Sequence, residues 1–96
     1  MNWETARKTA LERDEYQCRR CSRPATDVHH RRLKGMGGTS DEYILYGLPN
    51  LLSACRECHS WVHLHVAESY ETGWIVHSYQ DPADVELKPG KERYDF

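Results

Sequence analysis

Two cysteine pairs constrain this chain more than anything else in it. Cys18 and Cys21 form one Cys-x2-Cys pair, and Cys55 and Cys58 form a second. Four thiolates so arranged are suited to one tetrahedral Zn²⁺. A single ion shared by both pairs closes residues 22–54 into a loop, so something has to be built inside that loop. A chain of 96 residues is near the size at which apolar burial alone stops sufficing, and structural zinc contributes directly to folding. No apolar h-region precedes the first pair, so the expected compartment is reducing and cytoplasmic, where a disulfide framework is not expected.

The rest of the composition is that of an ordinary globular domain, 39% hydrophobic and 29% charged. No apolar run is long enough for a membrane span. Net charge is −2, which argues against a strongly basic, free-standing nucleic-acid binder. The charge is unevenly placed: residues 1–34 carry +4 and residues 35–96 carry −6. This division suggests one face for a polyanion and another that is solvated.

Local patterns suggest a mixed α+β domain. Asn2 can cap a helix over residues 3–15, with Trp3, Ala6, Ala10 and Leu11 on one stripe. Residues 25–33 read as a strand and 34–41, with three glycines, as a loop. Residues 43–52 are apolar but interrupted by Gly47 and Pro49, which predicts a turn and a short strand rather than a helix. Residues 58–69 read as a second helix with Cys58, Val62 and Val66 facing the core, stopped by Gly73. Residues 74–79 read as a strand, and 83–96 as a polar tail.

Six histidines are many for this length. His29 and His30 are adjacent on the predicted strand and point to opposite sides, so one can join a metal site. His59 and His63 stand at i and i+4 on the predicted helix and project from one face. Cys58 and His59 diverge by about 100° around that helix, so they serve different sites. Two metal sites are expected, with the cysteine cluster anchoring the helix that carries the second. His65 and His77 have no partner in the pattern and are expected to be structural. Trp61 is expected to pack.

The ordered set CRRC, DVHHRRLKGMGG, PNLLSACRECH and HSWVH resembles the HNH endonuclease family with its ββα-metal motif, over about residues 5–70. It is close to the small HNH proteins of tailed bacteriophages. The resemblance implies a small ββα-metal core with an N-terminal helix, a four-cysteine structural zinc site and a short C-terminal strand. It implies one domain over residues 1–96: the helix in 1–17, the knuckle and core in 18–70, and the strand and tail in 71–96. His29, His59 and His63 match the ligands of one catalytic divalent ion (Mg²⁺, Mn²⁺, Ni²⁺ or similar), His30 the general base, and Asn50 the residue that braces the loop and orients the base. Arg31, Arg32 and Lys34 follow the histidine pair and are candidates to grip DNA phosphates; Arg19, Arg20 and Arg23 are weaker ones.

The implied activity is metal-dependent DNA hydrolysis giving 5′-phosphate and 3′-hydroxyl ends. The implied setting is a bacterial host, with phage terminase or packaging proteins as partners. Two other readings stand beside it. One is a non-catalytic zinc module that binds DNA or protein. The other is a nuclease active only within a larger assembly.

Overall fold

A computed structural model describes residues 2–33 and 41–88. Helix α1 spans Trp3–Arg13, and the Asn2 side chain caps it by accepting the Thr5 N–H at 2.9 Å. Strand β1 is Asp27–His30 and β2 is Leu51–Ala54, paired antiparallel with His29 opposite Leu52 and His30 opposite Leu51. Between them lie the short helix α2 (Glu42–Tyr46) and a 3₁₀ turn (Leu48–Asn50). After β2 come α3 (Arg56–Leu64) and α4 (Val66–Thr72). The architecture is therefore α+β, built on a two-stranded sheet. Among the described residues no helix is long and apolar enough to cross a membrane.

All four residues of β2 are buried. Ala6, Ala10 and Leu11 of α1 pack with Val28 and Leu51. A second apolar cluster joins the cysteines to Leu52, Val62, Trp74 and Ile75. The end of α1 is tied down by Asp14. Its carboxylate accepts the Ser53 N–H at 3.1 Å and is paired with Arg13 and Arg19. Small side chains at Ala6 and Ala10, both fully buried, let the helix lie close to the sheet.

Four expectations are corrected here. Residues 43–52 do include a helical turn. Asp41 caps α2 by accepting the Tyr43 N–H, and the chain then passes through Gly47 and Pro49 into β2. The helix expected over 58–69 is two helices broken at His65. The Ser69 hydroxyl donates to the carbonyls of Val62 and His65, both at 2.8 Å, across the break. The break rotates the helix face, so Ser69 is buried and Val66 is 47% exposed. Gly73 ends α4 in the left-handed conformation, φ +87°.

Residues 74–79 form no strand, although Trp74, Ile75 and Val76 are buried. Their backbone groups go to scattered partners in place of a ladder. The Ile75 N–H donates to Ser69 and the Val76 N–H to Arg31, while the Trp74 carbonyl accepts from a histidine ring.

Arg31 pins this segment. It is 5% exposed. Its Nε donates to the Gly73 carbonyl at 2.8 Å, one terminal nitrogen to Pro49 and Pro82 at 3.0 Å each, and the other to Val85 at 2.6 Å. The expectation that Arg31 grips DNA is overturned, because its donors are spent inside the protein. Lys34 lies outside the described residues, as do most of the glycine loop and the tail beyond Lys88.

Replacing Arg31 with Met should lower unfolding stability by roughly 3 kcal/mol or more, since it strands four carbonyls at once. Denaturant melts check this, and a variant as stable as the wild type would contradict the clamp.

Candidate metal centres

The knuckle between Gln17 and Pro24 is a tight turn closed by the Cys18 N–H donating to Arg23 at 2.7 Å. It brings Cys18 and Cys21 against Cys55 and Cys58, with all four sulfurs within 4.8 Å of one another. Each sulfur accepts an N–H. Cys18 takes the Arg20 backbone N–H at 3.4 Å, and Cys21 takes Arg23 Nε at 3.4 Å. Cys55 takes the Cys58 N–H at 3.4 Å, and Cys58 takes the Arg20 guanidinium at 3.5 Å. Cys55 is also the N-cap of α3, where the helix dipole favours negative charge.

The protonation chemistry of the four thiols differs. Burial pushes Cys58 and Cys55 up. At Cys21 burial acts the same way but is outweighed by hydrogen bonds from Arg23, which bring it to about 7. Four sulfurs this close ionise together only around a cation, and the donor set fits Zn²⁺.

One residue further along α3 the chemistry changes. His59 and His63 leave the cysteine side and meet His29 from β1, and one nitrogen from each ring lies within 4.8 Å of the others. The ring centroids are 5.2 to 5.5 Å apart. Hydrogen bonds fix two tautomers. His29 Nε2 donates to the Trp74 carbonyl at 2.6 Å, which leaves the lone pair on Nδ1. His59 Nδ1 donates to the Asp27 carboxylate at 2.9 Å, which leaves it on Nε2. Asp27 is also paired with Arg56 at 2.9 Å. Burial works against ionisation of Asp27, but hydrogen bonds from Arg56 and His59 outweigh it and hold the carboxyl at about 2.

Burial, reinforced by the neighbouring histidines, drives His29 from its ordinary 6.5 to about 3. Burial also lowers His63. A buried, neutral imidazole with two others beside it is a ready ligand set for one divalent ion. Its depressed proton affinity also destabilises the fold in acid. Stability from His29 is complete above about 6.5 and is lost as pH falls towards about 3.

His30 stands next to this trio. A cavity of about 260 Å³ is lined by Trp3, Val28, Leu33 and the four histidines 29, 30, 59 and 63. His30 Nε2 donates to the Leu45 carbonyl at 2.9 Å, so its lone pair is on Nδ1. Asn50, fully buried, holds the backbone behind it. Its Nδ2 donates to Ile44 at 2.8 Å and to Arg32 at 3.2 Å, and its Oδ1 accepts the Arg32 N–H at 2.6 Å. These hydrogen bonds fix the peptide next to the one His30 uses.

The remaining sequence candidates fall elsewhere. Arg32 is half-buried beside Asn50. Arg20 is buried with its guanidinium 3.7 Å over the Trp61 ring, Arg23 serves Cys21, and Arg19 is paired with Asp14. His65 stacks on Trp61, and His77 stacks between Tyr70 and Tyr79. The sequence reading missed Asp27 and Trp3. Asp27 had a signal, since it stands two residues before His29 on a strand and so shares its face. Trp3 was placed on the core stripe, yet it remains 36% exposed at the cavity rim, stacked on His30.

No known family model, curated protein or solved structure matches this chain.

Stripping zinc with a strong chelator should abolish the cooperative thermal transition, and Cys55→Ser should do the same without chelator. Circular dichroism melts check both, and a full-amplitude transition in either case would remove the zinc from the folding account.

Proposed function

We propose that the chain is a metal-dependent DNA endonuclease of the HNH type, with a ββα-metal core formed by β1, β2 and α3. The observation that carries this reading is the convergence of His29, His59 and His63 on one cavity that His30 also lines. A zinc module that only binds has no need of that second cluster.

His29, His59 and His63 would hold a divalent ion, with Asp27 fixing the tautomer of His59. An ion held there would supply charge stabilisation to the phosphate in the transition state. Imidazole ligands admit Mn²⁺, Co²⁺ or Ni²⁺ readily, while Mg²⁺ is favoured by abundance. His30 acts as general base: Nδ1 takes a proton from water while Nε2 stays on the Leu45 carbonyl. The water oxygen forms a bond to phosphorus as the bond to the 3′ oxygen breaks. The departing 3′ oxygen takes a proton from solvent and His30 returns its own to solvent, so the products carry 5′-phosphate and 3′-hydroxyl ends. Asn50 keeps the Ile44–Leu45 backbone in place, so the base does not swing. Arg32 and Lys34 are the phosphate contacts that remain once Arg31 is assigned to the fold. So few contacts give modest, salt-sensitive affinity, which suits an enzyme handed its DNA by an assembly such as a phage packaging machine.

Plasmid nicking at low salt, with Mg²⁺, Mn²⁺ or Ni²⁺ against EDTA, tests the reading. His30→Ala should lose on the order of 10²–10⁴-fold in rate while still binding the ion. His59→Ala should lose the ion itself. No cleavage with any metal, from folded zinc-loaded protein, would leave a binding module or a nuclease active only within a larger assembly.

Ion affinity should fall on acidification with a shallow slope. His29 carries no proton to displace above about pH 4, so no more than about two protons compete for the site. Calorimetric titration of Ni²⁺ into zinc-loaded protein between about pH 5 and 7 measures it, and a slope near three would contradict a neutral His29.

A further inference from the structure

Trp3 has a place in the site that the nuclease reading leaves unused. Its indole stacks on the His30 imidazole, with centroids 4.9 Å apart and planes 26° from parallel. His30 is 8% exposed, although it ends a strand beside an open cavity. Trp3 is held from both ends of its helix. Asn2 fixes the first turn, and Asp14 fixes the last turn to β2. The nearby alanines bring α1 close enough for the first turn to reach past the end of β1.

We propose that Trp3 is a positioning residue. Its indole holds the His30 ring flat, so that Nε2 remains on the Leu45 carbonyl and Nδ1 remains the proton acceptor. The functional half of this inference rests on His30 being the general base; the structural half does not. An edge hydrogen bond by itself does not fix the plane of an imidazole, which can turn about its side-chain torsions. Closing its face removes that freedom, and a base held in one orientation transfers a proton more often. The α1 helix then forms one wall of the active site, opposite α3.

The test compares zinc-loaded wild type, Trp3→Phe and Trp3→Ala. Nitrogen-15 NMR of the His30 ring at about pH 8 reads the tautomer. Wild type and Trp3→Phe should show the proton on Nε2 alone, and Trp3→Ala a mixture of both tautomers. In metal-dependent cleavage, Trp3→Ala should lose on the order of 10–100-fold in kcat with KM little changed, and Trp3→Phe should recover most of it. Should Trp3→Ala lose its cooperative melt, Trp3→Leu replaces it, keeping apolar cover without a ring to stack. The proposal is overturned by a single tautomer and wild-type kcat in Trp3→Ala. It is equally overturned by a rise in KM at constant kcat, which would make Trp3 a substrate contact. If the wild type cleaves no DNA, the reading of the isolated chain as a nuclease fails, while the tautomer populations still decide whether Trp3 fixes His30.

Discussion

The geometry of the cysteine cluster and of the histidine cluster depends on how the four sulfurs orient α3. Cys55 is at once a member of the sulfur cluster and the N-cap of that helix, so the cluster sets where the helix begins and how it is rotated. A one-residue step from Cys58 then turns about 100° and places His59 on the neighbouring face. Another turn brings His63 beside it. The second site needs no separate scaffold: the rotation imposed by the first delivers two of its three histidines. Two arginines donate to sulfurs of the cluster, Arg20 and Arg23, and so offset the negative charge that four thiolates bring to a half-buried corner.

Around the histidines, the polar groups are matched by partners in place of water. The Trp74 carbonyl, the Asp27 carboxylate and the Leu45 carbonyl each accept one ring N–H, and each choice leaves one lone pair on the ring. Burial, reinforced by the neighbouring histidines, lowers the proton affinity of His29 and His63, so these two rings favour a cation over a proton. Asn50 acts at one remove, holding two backbone segments together by its own amide. An aspartate there could accept but not donate, and two of its three hydrogen bonds would be lost.

Much of this was legible in the residues because the signals were local. Cysteine spacing, the i to i+4 histidines, the Asn2 cap and the Gly73 stop are all decided within a few residues. The α+β class followed from the same patterns. What was not legible depended on tertiary contacts. Val66 fits the helical period, but the chain breaks at His65 and Ser69 takes the buried place. The stretch around Trp74 to Val76 has strand composition, yet its hydrogen bonds are claimed by Ser69, Arg31 and His29. Arg31 reads as a surface cation beside His30, and only the later chain returning over it shows otherwise. Trp3 has an apolar residue's position on its helix, and no spacing rule links it to a histidine on another element.

The hydrogen bond from His29 to Trp74 also orders events in time. His29 lies on a strand formed early in the chain, its two companions arrive on α3, and the carbonyl that fixes its tautomer comes after Gly73. The Arg31 clamp that seats that stretch reaches Val85. During synthesis, therefore, nearly every described residue must have left the ribosome before the histidines can take their final arrangement. Synthesis at about 5–20 residues per second is far slower than local helix formation. The sulfur cluster can close once Cys58 has emerged, whereas the histidine site waits for the chain that carries Trp74 and Val85, so it is completed last.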